Sequence, residues 1–169
     1  MSDASVLSDD FRSALSRFAS GVTVVTARSG DGTDVGFTAS AFSSLSLDPP
    51  LVLVCLDRSA ESFPVFEQAP SFAISILGAD QEEAAVRFAT RGADKFGGSV
   101  LEAGDATGLP LVAGAIAHLE CAMHDQLEGG DHVILVGRVV RAASNGDRPL
   151  LYFNRAFGEF DAGGDGRPG

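Results

Sequence analysis

The sequence predicts a mainly β fold, a closed antiparallel barrel with helices packed outside it, and three observations lead there. β-branched and apolar runs recur along the chain, at 22–27, 51–56, 71–77, 115–126, 132–143 and 149–153. Several are joined by short stretches rich in Gly, Asp and Ser, the chemistry of hairpin turns. Helical spacing is confined to a few short segments. Many strands, few helices and hairpin connections describe a barrel rather than a doubly wound sheet. The chain has 169 residues, enough for one domain with a substantial core. Neither a repeat nor an interdomain linker interrupts it. The reading is an N-terminal arm over 1–10, one domain over 11–160 and a disordered tail over 161–169.

Taken in order, Ser8 followed by Asp9 and Asp10 is a helix start, with a capping hydroxyl and acids at the positive end of the helix dipole. Phe11, Leu15 and Phe18 continue at helical spacing, and Gly21 supplies a left-handed stop. The period then changes to that of a strand, Val22 to Ala27. Turn residues from Ser29 to Asp34 make the next connection a hairpin. The run Leu51 to Leu56 is apolar enough to be a strand buried on both faces. A loop and short helix follow over 57–66, then Ser71 to Leu77, which alternates as a strand does. Asp80 to Thr90 reads as a helix, acidic early, with Arg87 and Arg91 late. Gly92 to Pro110 is Gly-rich and irregular, the kind of loop that is functional or mobile. Two long strands joined through Glu128-Gly129-Gly130-Asp131, and a short last strand near 149–153, complete the barrel.

One stretch organises the rest. Gly36 to Pro50 interleaves Thr38, Ser40, Ser43, Ser44 and Ser46 with Phe37, Phe42, Leu45 and Leu47. In an extended chain Thr38, Ser40 and Ser44 share one face, and Phe37, Ser43 and Leu45 the other. Such a segment packs into a core while offering hydroxyls and amides to something polar, or it is simply a Ser-rich surface strand. Pro49-Pro50 and the apolar run after it fix the stretch at a strand end, where ligands are commonly held.

Composition excludes several function classes. Net charge is −11, so the surface repels phosphate backbones and anionic membranes, and nucleic-acid binding is not expected. No apolar run approaches the ~20 residues of a membrane span, and the polar start is unlike a secretory signal. Cys55 and Cys121 lie in apolar strand-like segments, which reads as buried thiols in a reducing, cytoplasmic setting. His118, Cys121 and His124 do not converge on a metal, because the cysteine faces away from the histidines along a strand. The glycines at 30, 32 and 36 miss the dinucleotide spacing, and a turn rather than a helix follows them. With no Ser in a G-x-S-x-G elbow, Asp131-His132 has no nucleophile to serve. At a hairpin exit that pair is either functional or a turn feature.

Several segments together resemble the flavin reductase-like family. They are Gly21 to Thr26, Gly36 to Ser40, Ser44 to Cys55, Arg87-Phe88-Ala89, Asp94-Lys95-Phe96, Gly130-Asp131-His132 and Val136 to Val139. They occur in register from about Phe11 to Phe160. The resemblance implies the split β-barrel of FMN-binding type. It also implies an NAD(P)H:flavin oxidoreductase that passes hydride from NADH (or NADPH) to FMN (or FAD). The reduced flavin would supply a partner flavin-dependent monooxygenase, and the reductase itself would be a homodimer. Other split barrels of this kind are carriers or sensors without turnover, or use bound flavin on their own substrate. A Gly-Arg-Tyr ending common among relatives is replaced here by Asn154-Arg155-Ala156-Phe157-Gly158.

A flavin needs an apolar slot for its rings, donors for its carbonyls and N5, and an anion site for its phosphate. The resemblance assigns Thr38, Ala39, Ser40, Ser43 and Ser44 to the ring and ribityl chain, and Cys55, Leu56 and Asp57 to main-chain contacts at the end of the buried strand. Ser59, Ser62 and Arg87 are read as phosphate partners, Arg87 being otherwise a solvated helix residue. Phe88 floors the site or fills the core, and Tyr152 borders the flavin unless Phe153 does. Gly130, Asp131 and His132 are placed beside the nicotinamide. His132 and Asp131 are the catalytic candidates, the imidazole donating to the carboxamide or packing on the ring.

Overall fold

The computed structural model describes residues 8–160. Helix α1 (Ser8–Leu15) is followed by β1 (Ser20–Gly21), β2 (Thr23–Arg28), β3 (Asp34–Ala39), β4 (Phe42–Leu47) and β5 (Pro50–Asp57). A short α2 (Phe63–Phe66) and β6 (Ser71–Ile76) precede α3 (Glu82–Ala89). The small hairpin β7 (Leu101–Ala103) and β8 (Pro110–Val112) comes next. The long strands β9 (Ala117–Gly129) and β10 (His132–Ser144) and the hairpin β11 (Leu150–Phe153) and β12 (Ala156–Glu159) close the chain.

Seven strands form one antiparallel sheet in the order β3-β2-β6-β9-β10-β5-β4. The two edge strands, β3 and β4, are consecutive in sequence and separated only by Ser40 and Ala41. The sheet therefore curls until its edges meet at those two residues. The Cys55 amide donates to the Ala41 carbonyl there at 3.0 Å. Inside the curl lie Val25, Phe37, Val54, Leu56, Phe66, Phe72, Ile74 and Leu135. Burying each large side chain of this set contributes about 1.5–3 kcal/mol. A second cluster packs outside the sheet, where Ala85 and Phe88 of α3 meet Val22, Val24 and Leu77.

The irregular segment after α3 is an anchored strap. Thr26 Oγ1 donates to the Pro110 carbonyl (2.6 Å), and the Val112 amide donates to Ser75 Oγ (2.9 Å). His118 Nε2 lies 2.9 Å from the Val112 carbonyl. The Glu120 carboxylate accepts from the Ala106 and Thr107 amides and the Thr107 hydroxyl, at 3.0, 2.6 and 2.7 Å. Each of these four side chains is buried. They come from three neighbouring strands, so the strap closes the outer face with bonded polar groups.

Several expectations change. Gly21 lies in β1 without a positive φ, and α1 has already ended at Leu15. The helix also begins at Ser8, inside the expected arm. Phe11 and Leu15 are each 56% exposed and Phe18 81%, so among the described residues nothing covers this apolar face. In β5 only Val52, Val54 and Leu56 are buried, while Leu51, Leu53 and Cys55 are half-exposed. The reverse holds for β6, whose interior is buried on both faces. The long hairpin turns on Gly130 and Asp131 alone, with Gly130 at φ +73°. Strands β1 and β12 were not expected, because two- and four-residue strands carry too short a period to read. The tail 161–169 lies outside the described residues.

Candidate active site

The end of β5, the start of β10 and the α3 side of β3 meet around a cleft of about 350 Å³. Sheet register makes this meeting: His132 is the Cα partner of Asp57. The Arg58 amide then donates to the Asp131 carbonyl at 3.0 Å, tying the loop after β5 to the hairpin. On the other wall, Thr38 Oγ1 donates to the Ala85 carbonyl (2.6 Å), and the Phe88 ring sits over Gly36. A Cβ on Gly36 would lie 2.9 Å from Phe88 and 3.0 Å from the Val25 carbonyl, so only glycine permits this approach of α3.

Of the residues singled out by sequence, the cleft brings together Thr38, Ala39, Ser40, Cys55, Leu56, Asp57, Ser59, Ser62, Phe88 and His132. Others are placed elsewhere. Arg87 pairs with Glu83 (2.6 Å) and its guanidinium runs alongside Gly98, away from the cleft. Its parity on α3 turns it from the wall that Phe88 and Ala85 make. Ser43 donates to the Ser44 carbonyl and, like Tyr152, lines a separate groove, while Ser44 is exposed. Gly130 and Asp131 do not line the cleft, and Asp131 reaches it only through His132, Oδ1 lying 2.7 Å from Nδ1.

That bond decides the tautomer. A carboxylate accepts, so Nδ1–H donates, and in the neutral ring Nε2 is left as an acceptor. The imidazole can therefore accept from a carboxamide NH₂, and it donates from Nε2 only when protonated. Asp57 is held below the usual carboxylate range by the Ser59 amide, then by the Ser59 hydroxyl and His132. Burial pushes the Cys55 thiol up, which keeps it protonated and inert.

The sequence reading missed the cations. Lys95 and Arg91 both line the cleft beside Ser59 and Ser62, and Glu61 stands with them. Lys95 Nζ donates to the Gly36 carbonyl at 3.2 Å. A signal was available, for Lys95 is the chain's only lysine and lies in the Asp94-Lys95-Phe96 segment that the family resemblance had singled out. The donor set fits a flavin: apolar walls from Ala39, Leu56 and Phe88, hydroxyls from Ser40, Ser59 and Ser62, and two cations at one end. Beyond Ser40, Ala41 and Cys55 opens a larger, mostly apolar groove of about 680 Å³, lined by Leu15, Phe18, Phe42, Leu53, Tyr152 and Arg155 among others.

The model of the flavin reductase like domain matches residues 15–161. The chain belongs to the flavin reductase-like family. It is 45% identical over 148 residues to actinorhodin polyketide dimerase of Streptomyces coelicolor, covering 86% of this chain and 82% of that protein. It is 43% identical over 153 residues to the FMN reductase (NADH) SmoA of Agrobacterium fabrum, covering 90% and 86%. Among solved structures, NADH:FAD oxidoreductase SgcE6 of Streptomyces globisporus, in complex with NAD and FAD fragments, superposes with a TM-score of 0.87 at 40% identity. That match covers 93% of this chain and 94% of the other. The expected split barrel is thus the fold of this chain.

Proposed function

We propose that this protein is an NADH-dependent flavin reductase that supplies reduced FMN or FAD to a separate monooxygenase. The observation that carries the reading is the cleft itself, which brings Ala39, Leu56 and Phe88 together with Ser59, Ser62, Arg91, Lys95 and His132. With both bound, dihydronicotinamide gives up a hydride and the flavin takes it with a proton, leaving NAD⁺ and reduced flavin. The chain's part is placement and electrostatics. Ala39, Leu56 and Phe88 hold the rings away from water. Ser40 offers a hydroxyl with no recorded hydrogen-bond partner among the described residues. Arg91 and Lys95 neutralise the phosphate, taking the role the sequence reading gave to Arg87. His132, oriented by Asp131, accepts from the carboxamide of the nicotinamide. The partner oxygenase is supported by relatives named as reductase components of monooxygenases, including that of 4-nitrophenol oxidation in Rhodococcus opacus.

Exposed Leu15 and Phe18 line the apolar groove that backs onto the cleft, and Phe11 is exposed on the same helix as Leu15. A second copy of the chain covering that groove gives a homodimer. Among the described residues no helix is long and apolar enough to cross a membrane.

The test separates a reductase from a flavin carrier. His132→Ala is expected to leave flavin affinity nearly intact while stopped-flow reduction of bound flavin by NADH slows about five- to tenfold, the kinetic equivalent of one lost hydrogen bond. Reduction at the parent rate returns His132 to a turn residue. Absence of NADH oxidation by the parent with added FMN or FAD rejects the reductase reading altogether.

A further inference from the structure

Glu61 is out of place in a site built to hold an anion. Of the two carboxylates in the cleft, Asp57 is occupied: its Oδ1 accepts from the Ser59 amide at 2.7 Å. Glu61 instead stands against the cations. Its Oε2 accepts from the Gly92 amide (3.1 Å), and its Oε1 lies 3.5 Å from Arg91 Nε. The side chains of this pair are 45% and 75% exposed, so opening it requires little free energy and Arg91 is free to turn to a ligand. The Glu61 charge remains when Arg91 turns, fixed by the Gly92 amide at the mouth of the phosphate end.

We propose that Glu61 sets the flavin preference of the site, disfavouring the phosphate of FMN relative to that of FAD. The proposal rests on the reading of Arg91 and Lys95 as phosphate partners. FMN ends in a monoester carrying about 1.5–2 negative charges near neutral pH. FAD carries a similar total, but as a diphosphate with one charge on each of two phosphates, so that the second charge lies farther from Glu61, and riboflavin has none. For two anions sharing one guanidinium, repulsion across water lowers affinity about fourfold per unit charge. Glu61 therefore weakens FMN by about tenfold, FAD by about sixfold once its more distant, salt-screened second charge is included, and riboflavin not at all.

Equilibrium titration of FMN, FAD and riboflavin into the parent, Glu61→Gln, Arg91→Ala and Lys95→Ala tests this. Glutamine keeps an acceptor for the Gly92 amide and removes only the charge. Glu61→Gln is expected to tighten FMN about tenfold and FAD about sixfold, with riboflavin unmoved. Glu61→Asn provides a second neutral side chain and is expected to act in the same direction if the glutamine variant folds poorly. An unchanged ratio of FMN to FAD affinity in both neutral variants, or an equal change for riboflavin, overturns the proposal. Arg91→Ala and Lys95→Ala are expected to weaken FMN and FAD relative to riboflavin. If they do while the neutral variants leave the ratio alone, the role of Glu61 fails and the phosphate site stands. If neither cation matters, the phosphate reading fails and this proposal with it.

Discussion

Glu120 shows what a single charged residue does when it is buried and fully engaged. Its side chain is only 3% exposed. Burial raises the carboxyl's pKa, but the Thr107 hydroxyl and amide, the Ala106 amide and Arg141 together outweigh it and hold the group below its ordinary value. A depressed folded pKa means stability that is complete above the ordinary Glu value and is lost as pH falls through the lower folded one. Glu120→Gln is expected to destabilise the protein by about 1.5–3 kcal/mol at neutral pH, the value of hydrogen bonds to a charged acceptor. Chemical denaturation should show the gap to the parent closing in acid; a gap that is constant with pH would deny the charge any part. Sequence reading could not find this residue. Its partners lie 13 and 14 positions away on a strap that looked like a loose, Gly-rich loop. His118 was set aside as a metal ligand on strand parity, but its bond to the carbonyl of Val112 was equally out of reach of the sequence.

At the scale of elements, the site depends on how closely α3 lies against β3. Gly36 and Phe88 set that spacing, Thr38 fixes it through the Ala85 carbonyl, and Lys95 reaches back to the Gly36 carbonyl. Gly36→Ala is expected to cost about 1–3 kcal/mol of stability, because the neighbour on one side is backbone and cannot yield. It should also weaken flavin binding by shifting the wall that carries Lys95. Thermal melting and flavin titration of the one variant check both, and an unaltered melting temperature would show that α3 slides freely. Strands β2 and β10 were legible from their β-branched composition, β2 being buried along both faces. The same logic failed for β5, where half-exposed Leu51, Leu53 and Cys55 resembled a second buried face. Apolar side chains facing a groove leave the same trace in a sequence as those facing a core. For α1 the helix was legible and its surroundings were not, since periodicity states which residues share a face but not what covers it.

For the whole molecule, the proposed homodimer would cover the exposed face of α1 and the groove beside it. Light scattering at micromolar concentration is expected to give twice the chain mass, and Phe18→Glu to halve it; an active monomeric parent would remove the assembly from the function. Ser40, Ala41 and Cys55, where the two edge strands meet, belong to the lining of the cleft and of the groove alike. Any coupling through a shared wall is reciprocal: where association orders Ser40, Ala41 and Cys55 for the flavin, flavin favours association by the same factor. Flavin affinity should then rise with protein concentration across the range where monomers pair. A diluted enzyme would release its product more readily than a concentrated one, with no effector beyond its own abundance.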